Sequence, residues 1–236
     1  CGIKGEWKGS IYEGENILSA KWFPQSKLNF AENMLKNRSD DEALIFRCED
    51  RISETLSFAE LYDQVSKIAQ HLKELGVTKG DRVAGFLPNF AGSIVAMLAT
   101  ASVGAIWSSC SPDFGEQGVI DRFGQIEPKV LFCVDGYFYN GKSHNCLDKI
   151  KSFIARLPTL KQVVIFDYAF SDNITINNSI LYQEIVDRYE PNEIDFERVG
   201  FDHPLYIMYS SGTTGVPKCI VHGHGGTLVQ HLKEHQ

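Results

Sequence analysis

No two cysteines in this sequence stand in C-x-x-C spacing, although there are six, at positions 1, 48, 110, 133, 146 and 219. That removes the signature of a zinc ribbon or a dithiol redox centre and argues against a disulfide framework, so the cysteine usage points to a reducing compartment, the cytosol. Cys110, Cys133 and Cys219 lie in apolar runs, where a free thiol behaves as a small hydrophobe. Basic charge is scarce too: 23 Lys and Arg against 30 Asp and Glu leave a net charge of −7. A nucleic-acid binder needs a concentrated basic face, and the balance argues against that class. A nucleotide site is not, because a few backbone N–H groups and one lysine can build it. Charge of either sign is missing from residues 83–112, a stretch long enough to span a bilayer. Pro88, Asn89, Gly92, Ser93, Thr100, Ser102, Gly104, Ser108 and Ser109 dilute it, so a buried strand–helix–strand is expected there and no stable membrane insertion. The sequence starts at Cys1 rather than methionine, no signal peptide is visible, and it stops at Gln236 inside a helical-looking run, so a piece of a longer polypeptide is expected.

What is present is an ordinary globular composition, 43% hydrophobic and 22% charged, without internal repeats or low-complexity stretches. Residues 1–40 are polar and aromatic with weak periodicity; Trp7, Trp22, Phe23 and Phe30 are expected to pin this segment onto a larger body, with a short helix over 29–35. Residues 42–48 read as a strand, with 54–56 as its partner. Ser57-Phe-Ala-Glu60 is a capping box, and the helix behind it places Leu61, Val65, Ile68, Leu72 and Leu75 on one face before Gly76 stops it. Strands are expected at 82–87, 105–109, 129–134, 162–166, 204–209 and 219–221. Helices are expected at 90–103, from 113 through 126, around Leu147, Ile150, Ile154 and Leu157, and at 180–189. Asp113 and Glu116 read as a second capping-box start rather than an acid–base pair, and 135–144 and 171–179 as loops. Short apolar strands alternating with amphipathic helices give an α/β fold: a mostly parallel sheet flanked by helices on both faces.

One loop concentrates chemistry. The strand 204–209 runs straight into Ser210-Ser-Gly-Thr-Thr-Gly-Val-Pro-Lys218. Gly212 and Gly215 permit positive φ, which turns successive N–H groups toward one point as an anion nest. Ser210, Ser211, Thr213 and Thr214 add hydroxyl donors, Lys218 adds a positive charge, and Pro217 stiffens the exit. Serine, threonine and glycine are also common in plain hairpin turns. Four hydroxyls, two glycines and a lysine within nine residues nevertheless favour a polyphosphate guest. The loop is not a Walker A sequence: the two glycines are too close together, and Cys219 follows the lysine, which disfavours a P-loop NTPase.

Tyr209 to Lys218 resembles the phosphate-binding signature of the adenylate-forming superfamily. Trp22-Phe23-Pro24, Leu28-Asn-Phe-Ala-Glu-Asn-Met-Leu35, the stretches 108–115 and 121–131, and Val221-His-Gly-His-Gly-Gly226 are similar to the acetyl- and acetoacetyl-CoA synthetase branch, and closer to the acetoacetyl side. The resemblance extends over the whole chain. It implies an N-terminal segment at 1–40 and an incomplete AMP-binding domain at 41–236. It also implies ATP, Mg²⁺ and coenzyme A, with acetoacetate joined to coenzyme A through an acyl-adenylate and release of AMP and pyrophosphate. By the same resemblance Ser210, Ser211, Gly212, Thr213, Thr214, Gly215 and Lys218 hold the ATP phosphates. Lys142 is a weak candidate for a coenzyme A phosphate, because Asn140 stands where arginine is expected. The adenine and ribose contacts and the adenylation lysine are expected beyond residue 236, so the chain by itself is expected to be inactive.

Two other enzyme-class and binding-class readings stay open: a synthetase for acetate, propionate or another acid, and a non-catalytic nucleotide-binding or interaction module. His222, His224, His231 and His235 lack the H-E-x-x-H arrangement, so no metal site is assigned to them.

Overall fold

The weak periodicity of the first residues becomes four two-residue strands: β1 (Gly5–Glu6), β2 (Tyr12–Glu13), β3 (Lys21–Trp22) and β4 (Lys27–Leu28). β1 pairs antiparallel with β4, and β2 with β3. The computed structural model describes residues 2–49, 51–170, 176–210 and 215–234. The tryptophans are not the pins that their size suggests, since Trp7 is 42% and Trp22 50% exposed. Phe30 is buried, and Phe23 packs on Phe201 at 5.0 Å. The tightest anchor is polar. Asn29 is fully buried and donates to the Ala101 and Glu197 carbonyls, each at 2.8 Å. Its Oδ1 accepts from the Glu32 N–H at 3.2 Å and so caps α1 (Phe30–Met34). A helix start and a long-range tether are thus satisfied by one amide.

β5 (Glu42–Cys48) and β6 (Ile52–Ser57) form an antiparallel hairpin that leads into α2 (Phe58–Glu74). The capping box is present, with Ser57 Oγ accepting from the Glu60 N–H at 3.2 Å and the Glu60 carboxylate accepting from the Ser57 N–H at 2.8 Å. Leu61, Val65, Ile68 and Leu72 are buried on one face, and Gly76 takes φ 72° at the stop. Then follow β7 (Arg82–Phe86), α3 (Ala91–Ser102), β8 (Ile106–Cys110), α4 (Glu116–Ile126) and β9 (Val130–Val134). The chain continues through β10 (Gly136–Tyr139), β11 (Lys142–Asn145), α5 (Leu147–Ile154), β12 (Gln162–Phe166), β13 (Ser179–Leu181) and α6 (Tyr182–Arg188). It ends with β14 (Val199–Gly200), β15 (Pro204–Tyr209), β16 (Cys219–Gly223) and α7 (His224–Glu234). β14 joins β4, which ties the N-terminal strands to the later part of the chain.

The main sheet has seven strands in the order β13-β12-β9-β7-β8-β15-β16, all parallel except the antiparallel last pair. Strand alternation sorts side chains to two cores. Val130, Phe132 and Val134 join one core with α2, α3 and α6; Leu131 and Cys133 join the other with α4 and α5. Burial on both faces explains why these strands read as continuous apolar runs. The uncharged stretch 83–112 is β7, α3 and β8, and no helix among the described residues is long and apolar enough to cross a membrane.

Several expectations need correction. Residues 135–144 are not a loop but mostly the β10–β11 hairpin. Asn140 (φ 51°) and Gly141 (φ 73°) form its two-residue turn, the left-handed pair that such hairpins require. Asp113 does not cap α4: Gly115 occupies the cap, without a side-chain bond, and Glu116 in the first turn lies 3.6 Å from Arg156. The helix expected over 180–189 begins at Tyr182, because residues 179–181 extend the sheet edge beside β12. Cys219 is exposed, unlike Cys110 and Cys133, because β16 is an edge strand.

Candidate functional site

Parallel strands deliver their following loops to one end of the sheet, and open α/β sheets place ligands at that carboxyl end. β8 and β15 pair in register only at Trp107–Tyr206 and Ser108–Ile207. Beyond that the strands part, and a cavity of about 400 Å³ opens, lined by Trp107, Ser109, Cys110, Phe114, Arg122 and Tyr209 among others. The Ser210–Lys218 loop leaves β15 beside this cavity. A second cavity, about 440 Å³, opens near the amino-terminal edge of β12; among the described residues Lys151 is the one ionisable residue in its lining.

Ser211, Gly212, Thr213 and Thr214 lie outside the described residues. The two ends of the loop are described. The Ser210 N–H donates to the Lys218 carbonyl at 3.0 Å, which closes the base as a continuation of the β15–β16 hairpin. Gly215 takes φ 96°, a left-handed conformation that favours glycine. A Cβ there would meet nothing within 4 Å, so the backbone conformation and not crowding calls for glycine. Lys218 is exposed and makes no ion pair among the described residues.

Helix α4 supports both ends of this loop. Tyr209, the last residue of β15, has its hydroxyl 3.0 Å from Ser108 Oγ and donates to the Arg122 carbonyl at 3.2 Å. Burial pushes the Tyr209 phenol up to about 12, against the opposing hydrogen bond from Ser108, so it stays protonated and keeps donating. The Arg122 guanidinium lies 4.1 Å from the Phe114 ring and 5.7 Å from the Tyr209 ring, with no carboxylate partner among the described residues. Cys110 in the cavity wall is no nucleophile: burial pushes its thiol up to about 12.

Lys142 lies on the β10–β11 hairpin, exposed. The hairpin follows β9, so it leaves the same end of the sheet as the loop, three strand intervals away, about 14 Å at sheet spacing. At its tip the Glu49 carboxylate accepts from the Asn140 and Gly141 N–H groups at 2.6 and 2.9 Å. Arg51 donates to the Gly141 carbonyl at 2.7 Å. The N–H groups at this turn are therefore already engaged.

His222, His224 and His231 make packing contacts. His222 lies 5.1 Å from the Tyr206 ring, and His231 meets Phe30 edge-on at 5.6 Å. His224 is fully buried and its Nδ1 accepts from the Phe30 N–H at 3.2 Å, so its proton sits on Nε2, which finds no partner among the described residues. His235 lies outside the described residues. Among the described residues no three His, Cys, Asp or Glu come together to hold a metal. Burial, helped by nearby His203, pulls the His224 imidazole down to about 3. In the unfolded chain a histidine titrates near 6.5, so the folded protein refuses a proton that the unfolded chain accepts. Stability contributed by neutral His224 is therefore expected to fall as pH drops below about 6.5, by up to about 1.4 kcal/mol per unit until about pH 3. Urea unfolding from pH 7 to 4 checks this: His224→Gln should flatten the slope, and an unchanged slope would place the acid sensitivity elsewhere.

The AMP-binding enzyme family model matches residues 30–236, and the chain belongs to that family. It is 49% identical over its full length to an acetoacetyl-coenzyme A synthetase of Rhizobium meliloti (strain 1021), covering 37% of that protein. It is 48% identical to an acetoacetyl-CoA synthetase of Gallus gallus, over 91% of this chain and 34% of that one. The solved acetoacetyl-CoA synthetase from Streptomyces lividans superposes with a TM-score of 0.91 at 41% identity, over 98% of this chain and 36% of that chain. The chain thus spans about a third of the length of the relatives that it matches. The resemblance read from the motifs is borne out.

Sequence reading did not find Gln125, Arg122 and the Tyr209 hydroxyl as supports of the loop. The local signal was the i, i+3 spacing of Arg122 and Gln125 on α4, one face apart from the buried Val119, Phe123 and Ile126.

Proposed function

We propose that this chain supplies the phosphate-holding part of an ATP-dependent acid–thiol ligase that joins acetoacetate to coenzyme A through an acyl-adenylate, releasing AMP and pyrophosphate. The observation that carries this is the loop 210–218 at the carboxyl end of β15, in a chain 49% identical to an acetoacetyl-coenzyme A synthetase. In this reading residues 1–40 are the family's N-terminal segment and 41–236 part of the AMP-binding domain. Ser210, Ser211, Gly212, Thr213, Thr214, Gly215 and Lys218 hold the β- and γ-phosphates. Negative charge grows on pyrophosphate as it leaves, and donors oriented beforehand are most effective where charge develops. Left-handed Gly215 turns backbone toward the guest, and Lys218, unpaired with any carboxylate among the described residues, is free to meet it. Mg²⁺ neutralises phosphate charge when bound. With no acidic cluster among the described residues, it fits this part of the site as a companion of the nucleotide's phosphates and water. Lys142 is the candidate for a coenzyme A phosphate, on a hairpin at the same end of the sheet. Free Cys48, Cys110, Cys133, Cys146 and Cys219 suit a reducing compartment, and the cytosol is the location proposed.

The test is AMP formation by the full-length protein with ATP, Mg²⁺, coenzyme A and a panel of acids. Acetoacetate is expected to be preferred. Preference for acetate or propionate would keep the reaction class and change the substrate, and no AMP with any acid would bring forward a non-catalytic nucleotide-binding module. The 236-residue chain alone is expected to release no pyrophosphate with acetoacetate. Measurable release from it would show that the later part of the relatives' length is dispensable for adenylation.

A further inference from the structure

The exit of the candidate phosphate loop is held by a side chain that none of the loop's own chemistry requires. Gln125, on the last turn of α4, donates from Nε2 to the Pro217 carbonyl at 2.9 Å and to the Asp121 carbonyl at 2.5 Å. Its Oε1 lies 3.7 Å from Cys219 Sγ, whose S–H donates to it. Both N–H donors and one acceptor lone pair of the amide are therefore in use, and the orientation is determined: a flipped amide would set its oxygen against two carbonyls. Pro217 and Cys219 flank Lys218 on both sides. One amide thus grips the backbone before the lysine and the side chain after it. At the loop's other end Tyr209 donates to the Arg122 carbonyl, one helical turn from Gln125 on the same face of α4.

We infer that Gln125 is a positioning residue for ATP: it seats the exit limb of the loop on α4 and so aims Lys218 and the Gly215 backbone at the phosphates. This rests on the phosphate-loop reading above. Gln125 touches no substrate; it acts through the loop. It is exposed, and α4 is packed by Val119, Phe123 and Ile126, so the clamp adds little to folding. Its contribution is realised when the loop must converge on a guest, as preorganisation.

The test uses the full-length protein in ATP–pyrophosphate exchange, comparing wild type, Gln125→Met and Lys218→Ala. Methionine keeps the length of glutamine and removes both donors. Losing one or two neutral hydrogen bonds predicts a KM for ATP raised about 3- to 10-fold, with the KM for the acid and the Tm unchanged. If Lys218→Ala weakens ATP and Gln125→Met does not, the clamp is overturned and the phosphate reading stands. If neither variant moves the KM for ATP and Lys218→Ala leaves the exchange rate unchanged, the phosphate reading falls and the clamp with it; if Lys218→Ala slows exchange while Gln125→Met leaves the KM for ATP unchanged, the clamp alone is overturned. If Gln125→Met lowers Tm and kcat while the KM for ATP holds, the residue is merely structural and the inference is overturned.

Discussion

Lys218→Ala in the full-length protein is expected to slow acetoacetate-dependent ATP–pyrophosphate exchange by about 10²- to 10³-fold, the usual cost of removing one preorganised donor from a site of developing charge. The fold should be untouched. Lys218 is exposed and makes no ion pair among the described residues, and its role in the loop base is played by its backbone carbonyl, which alanine keeps. Adding Thr214→Ala would, on the proposed reading, remove a second donor from the same guest and should push exchange toward background. Because the two groups would act on one phosphate cluster, their effects need not add. Unchanged exchange with the double variant would mean that the loop is a surface turn, and the functional reading would have to move to the cavity between β8 and β15.

A second large effect lies away from the loop. Asp135 is fully buried immediately after β9. Its carboxylate accepts from the N–H groups of Tyr168 and Ala169 at 2.9 Å and of Phe170 at 2.7 Å. Its own N–H donates to the Phe166 carbonyl, and its carbonyl accepts from Cys146, so the residue joins the ends of β9 and β12 to the start of α5. No cation pairs with it among the described residues; three converging N–H dipoles take that part. Asp135→Ala leaves three half-buried N–H donors without their acceptor and is expected to cost about 3 kcal/mol, read by urea unfolding of the full-length protein. Asp135→Asn keeps one acceptor oxygen and should cost clearly less. Equal losses for the two variants would show that cavity formation, not unsatisfied N–H groups, sets the penalty.

The sequence patterns that became the sheet were legible because burial on both faces writes unbroken apolar runs, as at 130–134 and 162–166. Ser57 and Glu60 announced α2 because a capping box is a local device, complete within four residues. The misread parts were those decided by partners far along the chain. Asn140-Gly141 carries the hairpin-turn dipeptide, yet the polar residues around it read as loop. What organises that hairpin is Glu49 and Arg51, from the turn between β5 and β6. Residues 179–181 read as the first turn of a helix until β12 offers them a sheet edge. At the loop, the composition of 210–218 suggested a polyphosphate guest, but the side chains that support it on α4 stand some ninety residues earlier, at Arg122 and Gln125. The i, i+3 spacing of Arg122 and Gln125 marks a shared helix face but not the distant segment that this face will hold.

The antiparallel joining of β15 and β16 also governs how this region tolerates change. Both stems of the loop are strands already bonded to each other, from Tyr209–Cys219 back to Pro204–Gly223. An insertion between Ser210 and Lys218 would leave that ladder intact, and loop-closure entropy rises only by about 0.6 kcal/mol for each doubling of length. On the proposed phosphate-loop reading, the same insertion would scatter the N–H groups and the lysine that are to meet at one point. If the loop holds phosphates as proposed, sequence drift here should escape a screen for folding and show first as loss of nucleotide affinity.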